Sequence, residues 1–181
     1  MARYFNLAIL TFSLFLSGWS NANTFQTTLT TEVSIDAPIT EVFDYASTAS
    51  HWKIWHPNTF ATSGADDHSA TENEVIHETL KIETLKIGTL IGPQLDWTVT
   101  EHFVPTNWRL SGNDKFGLIT FDLEYSFTTH EDGTTGFHRR MSYTMKKTWL
   151  FLLFDALIFK PYNERMSKIA LNQFKAEMEA D

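Results

Sequence analysis

The sequence predicts an α+β fold: a curved antiparallel sheet of about seven strands closed by a long C-terminal helix, with two short helices after the first strand. Three observations carry that prediction. Between Thr59 and Lys147 nearly every segment reads as alternating strand broken by short Gly, Asn, Asp or Pro turns, which is the pattern of an antiparallel meander. From Tyr162 onward the period becomes helical. Tyr162, Met166, Ile169, Ala170, Phe174 and Met178 share one side, and Glu164, Arg165, Lys168, Asn172, Lys175 and Glu179 the other. A helix with one dry side, ending a strand-rich chain, buries that side against the open face of the sheet. Finally, 181 residues with 43% hydrophobic content suffice for one domain around a single core.

Residues 1–22 read as an export signal: Arg3 gives a positive start, Leu7 to Trp19 an apolar run, and Ser20-Asn21-Ala22 a small-residue cleavage site ahead of Asn23. The competing reading is an uncleaved anchor or a misassigned start. Cleavage leaves residues 23–181 as the single domain, in the periplasm or outside the cell. With no cysteine, that domain has no disulfides and relies on its core.

Phe25 to Ile35 alternates as a strand, stopped by Asp36-Ala37-Pro38. Pro38 suits a first helical turn, and Ile39, Val42, Phe43 and Ala46 make a short apolar stripe. Ser47 to Trp55 reads as a second short helix ending before His56-Pro57. Then come a strand over Glu74 to Ile82, a turn at Gly92-Pro93, a strand over Gln94 to Val104, and a strand over Trp108 to Ser111. Gly112-Asn113-Asp114 turns again, and Leu118 to Thr129 and Thr135 to Met145 form the last pair. The Leu-Lys-Ile motif occurs twice between Leu80 and Gly88, which breaks alternation and reads as a bulged or bent strand.

Composition removes several functions. A net charge of -8 without a basic stripe excludes nucleic acid. The 7 histidines have no metal-ligand spacing, so no metal is expected. No phosphate loop, dinucleotide fingerprint or nucleophile elbow occurs, and no cofactor is expected.

Alternation sorts the inward side chains. Leu95, Trp97, Val99, Glu101 and Phe103 share a face; Ile119, Phe121, Leu123, Tyr125 and Phe127 another; Phe137, Arg139, Met141, Tyr143 and Met145 a third. Glu101 and Arg139 are the charges on this inner face. They either pair with each other or lie at a pocket mouth, and a bulge turning one outward is the alternative. Trp52, Trp55 and His56 stand at the junction of helices and sheet, as rim packing or as ligand contacts. The apolar run Trp149 to Phe159, broken only by Asp155, is either the buried first part of the closing helix, kinked or ended at Pro161, or a patch making transient membrane contact.

The stretch Val33 to Tyr45 with His51-Trp-Lys-Ile-Trp-His-Pro57 resembles the opening of the START-like superfamily, also called SRPBCC or the polyketide cyclase/dehydrase and lipid-transport group. Trp97-Thr-Val-Thr-Glu101 with Pro105, and Tyr125 followed by Gly133 to Tyr143, extend the resemblance over the whole of residues 23–181. It implies a helix-grip fold, a sheet curled around the terminal helix over a hydrophobic cavity. Such a cavity would be lined by Trp97, Glu101, Phe121, Tyr125, Arg139 and Tyr143 of the sheet and Phe174 of the helix, with Trp55 and His56 at its rim. The leading expectation is an exported carrier of one small hydrophobic, lipid-like or aromatic ligand. The alternatives are a cyclase/dehydrase-like enzyme in which Arg139, Glu101 or Tyr125 handles a proton, and an envelope protein with a filled core. The oligomeric state is left open.

Overall fold

The computed structural model describes residues 23–84 and 88–180; the signal-like segment 1–22 lies outside them. Strand β1 (Thr24–Ile35) is followed by helix α1 (Ile39–Ser47), a 3-10 turn (Ala49–His51) and the single-turn helix α2 (Trp52–Trp55). Six strands follow: β2 (Thr59–Gly64), β3 (Val75–Thr84), β4 (Gly88–Phe103), β5 (Asn107–Asp114), β6 (Ile119–Thr129) and β7 (Thr135–Lys146). The chain closes with α3 (Trp149–Phe154), a π-helical turn (Asp155–Phe159) and α4 (Lys160–Met178).

All seven strands form one antiparallel sheet in the order β1-β7-β6-β5-β4-β3-β2. Consecutive strands from β2 to β7 are neighbours, as short turns require, and β1 joins last, pairing Thr24 with Lys146 and Ile35 with Thr135. The sheet holds α4 against its concave face by Ala170, Leu171 and Phe174, all buried. This is the helix-grip arrangement.

Three local expectations are corrected. Leu80 to Gly88 is not one bent strand: β3 and β4 pair across it as a hairpin, Thr84 opposite Gly88, with residues 85–87 outside the described ones. A register shift between Thr79 and Lys81 does supply a bulge there. Gly92-Pro93 is no turn, because β4 runs straight through it; a Cβ at Gly92 would lie 3.3 Å from the Leu80 carbonyl oxygen, so close approach to the bulge accounts for that glycine. Gly112-Asn113-Asp114 is likewise strand, the reversal falling after it.

The closing helix starts at Trp149 and neither ends nor breaks at Pro161. The π turn just before the proline explains this. Lys160 N–H bonds back to the Asp155 carbonyl, and the widened turn absorbs the ring and missing donor that would interrupt a regular α-helix.

The core is densest at the end of α4. Phe174 packs at ring-centroid distances of 5.1 Å from Trp55, 5.0 Å from Phe137 and 5.5 Å from Tyr45, and Phe137 stacks on Phe127 at 4.9 Å. Nearer α3 the helix and sheet stand apart.

Candidate functional site

Where helix and sheet separate lies a cavity of about 350 Å³. Its walls are apolar: Leu95, Phe121 and Leu123 from the sheet, Met141 beside them, Phe159 and Met166 from the helix. They line it for the reason alternation gives, since residues two apart on β4, β6 and β7 project to the same face. Pro93, Asp114 and Phe116 also line it, and Pro93 and Phe116 are exposed, which marks the mouth.

The floor is polar. Arg139 of β7 is 4% exposed; its Nη1 donates to Ser167 Oγ at 2.8 Å and its Nη2 faces the Met141 sulfur at 3.7 Å. Its Nε, buried, has no hydrogen-bond partner among the described residues. Glu78 of β3 accepts from Thr59 Oγ1 at 2.5 Å and from Trp97 Nε1 at 2.9 Å. Burial pushes its carboxyl above the usual range, against the opposing pull of those two donors and of the Arg139 charge. Thr59 Oγ1 also lies 3.1 Å from His56 Nδ1. The hydroxyl has one proton, so giving it to Glu78 makes it the acceptor for His56. The imidazole then carries its proton on Nδ1 and leaves Nε2 unprotonated. Burial, helped by the Arg139 charge, holds the His56 pKa down to about 3. Burial also raises the Tyr125 phenol, with Arg139 opposing, so Tyr125 is a protonated donor.

Of the residues expected from sequence, His56, Trp97, Phe121, Tyr125 and Arg139 meet at this cavity. Trp55 and Phe174 belong to the solid aromatic core instead, in mutual contact. Tyr143 stands behind Phe159 and donates its hydroxyl to Asp155. Glu101 is a correction. A register shift between Val99 and Glu101 rotates the end of β4, so Glu101 points outward and pairs with Arg109 at 3.3 Å, which Asp122 also grips through two bonds of 3.0 and 2.9 Å. Phe103 turns out with it, and His102 takes the inward place against Phe43. Arg139 therefore does not pair with Glu101. The buried carboxylate near it is Glu78, which sequence reading missed although Ile76, Glu78 and Leu80 alternate just as the sorted strands do. Ser167, one residue after Met166 on the dry side of α4, was missed as well.

The hollow is open space, not a core filled by side chains. The described residues contain no cluster of histidine or acidic side chains able to hold a metal. Their chemistry is a greasy compartment with one cation, one carboxyl, a neutral imidazole and a phenol at its base.

The fold recurs in solved structures at low identity. An uncharacterized protein from Rhizobium leguminosarum aligns with a TM-score of 0.62 at 11% identity over 88% of this chain and 98% of that one. A protein of unknown function from Staphylococcus aureus reaches 0.66 at 9% over 88% and 97%. The di-domain aromatase/cyclase StfQ of the steffimycin biosynthetic pathway reaches 0.62 at 14% over 85% of this chain and 51% of its own. These likenesses establish the fold alone. No curated protein matches the chain. Residues 26–179 match the profile of one family throughout the sheet, the grip helix and the cavity between them, and the chain belongs to that family, polyketide cyclase / dehydrase and lipid transport.

Proposed function

We propose that this protein is an exported carrier that holds one small hydrophobic molecule in the cavity between sheet and helix. The observation behind this reading is an apolar hollow of about 350 Å³, within the roughly 300–1,000 Å³ range of small-molecule sites. Excluding water from those walls supplies most of the binding, and the floor sets orientation. Arg139 and the protonated Tyr125 line the floor as hydrogen-bond donors, so the ligand has an apolar body and one carbonyl, carboxylate or similar group at its inner end. Export rests on residues 1–22 as a cleaved signal.

Native mass spectrometry of the protein purified from its own cells tests this. The expected spectrum carries an adduct that organic solvent releases, and Met166→Trp, which puts an indole into the cavity, removes it. A bare mass for the unaltered protein under the same conditions rejects the carrier.

A second reading, a cyclase acting on a folded reactive chain, is favoured by the floor itself: the protonated Tyr125 and the Arg139 cation can together polarise a carbonyl, with the neutral His56 ring beside them. It requires turnover of a poly-β-carbonyl thioester, which Tyr125→Phe would slow sharply.

A further inference from the structure

The segment Trp149–Phe159 is amphipathic in an inverted sense. Its inner stripe is Phe151, Asp155 and Phe159, and Asp155, the segment's one charge, is buried there, accepting from Tyr143 and from Thr27 Oγ1 at 3.0 Å. Everything turned outward is apolar: Trp149 is 77% exposed and Leu157 67%, and Leu150, Leu153 and Ile158 are exposed as well. The β5–β6 turn, at the same end of the sheet, adds Phe116 at 76% and Leu118. Because Phe116 and Phe159 also line the cavity, this apolar skirt is continuous with the cavity mouth.

We propose that this skirt docks on an anionic lipid bilayer and sets the cavity mouth against it. Charge identifies the occupant. In a chain of net charge -8, Lys147 stands at the foot of the segment, Lys160 at its far end and Lys115 beside Phe116, all exposed. Cations ringing an apolar face match lipid headgroups over acyl chains. No described helix is long and apolar enough to cross a membrane, so the contact is interfacial. A second copy would gain nothing from the lysine ring, which would face itself. The inference stands apart from carrier function, since docking requires no bound ligand.

The absence of cysteine makes a direct test available. In the full chain, Leu153→Cys at the skirt and Glu131→Cys at the opposite end of the sheet are each labelled with an environment-sensitive dye. Each is then mixed with vesicles of phosphatidylcholine alone or with an equal part of phosphatidylglycerol. Docking brightens the dye at 153 by about twofold or more on the mixed vesicles, leaves it unchanged at 131, and weakens with added salt. Trp149→Ser with Leu157→Ser, both at exposed positions, abolishes the response at 153. No change at 153, an equal change at both positions (tethering by residues 1–22 alone), or brightening that rises with protein concentration without vesicles (a second copy) each overturns the proposal. Occupancy by native mass spectrometry, measured on the same variants, reports on the carrier reading separately.

Discussion

His56 and Glu78 are joined by one hydroxyl, and their pH dependences run in opposite directions. The folded His56 pKa of about 3 lies below its ordinary 6.5. On acidification through that window the unfolded chain takes up a proton that the folded protein refuses, so stability falls as pH drops. One unit below the unfolded value the loss is about 1.4 kcal/mol. Glu78 is raised above its ordinary 4.5. As pH climbs from there the unfolded chain releases a proton that the folded one keeps, so stability falls as pH rises. Urea unfolding across this range should find that His56→Gln removes the acid-side loss and Glu78→Gln the loss toward higher pH. Gln suits both places: at 78 its oxygen can accept from Trp97 while its amide meets a Thr59 hydroxyl turned to accept. Profiles parallel to that of the unaltered protein would mean both groups are hydrated in solution and the floor is not dry.

At the scale of elements, β4 decides the site. Two bulges flank it, one against β3 near Leu80 and one against β5 near Thr100, and together they bend the sheet around the helix and choose which side chains face inward. Opposite Trp97 sits Gly112, where a Cβ would lie 2.5 Å from the indole ring. That glycine makes room for the tryptophan that anchors Glu78. Gly112→Ala should cost about 1–3 kcal/mol by overpacking and loosen the Trp97–Glu78 bond, read as a lower urea midpoint with altered tryptophan fluorescence; an unchanged midpoint would show that the indole is free to move. Gly112 also shows where sequence reading stops. Beside Asn113 and Asp114 it has the composition of a turn, and only its partner across the ladder reveals its use. β6 and β7 were legible because their alternation is unbroken from end to end, which placed Phe121, Tyr125 and Arg139 correctly. Glu101 was misplaced because a bulge adds one residue with no change in composition. The grip helix was legible by its period, but not its passage through Pro161, which depends on a π turn that no residue type marks.

Over the whole molecule, the space between sheet and helix divides into a solid half and a hollow half, with Tyr125 at the seam, packed against Trp55 and Phe137 on one side and lining the cavity on the other. The solid half interlocks Trp55, Phe127, Phe137 and Phe174 and fastens β6, β7 and α2 to α4, so stability should concentrate there. The hollow half has walls with empty space on one side, which forgo part of their dispersion contacts and are correspondingly cheap to alter. Phe174→Ala removes a fully buried ring from close packing and should cost about 3–5 kcal/mol. Phe121→Ala removes a ring of similar size that already borders the cavity and is only partly buried, so its loss should be below about 2 kcal/mol, while the enlarged hollow should change the mass or amount of co-purified ligand. Denaturant unfolding with native mass spectrometry on both variants separates the two halves. If the two substitutions destabilise equally and leave bound mass alike, the wall at Phe121 is part of the scaffold, and the division of labour along the helix axis does not exist.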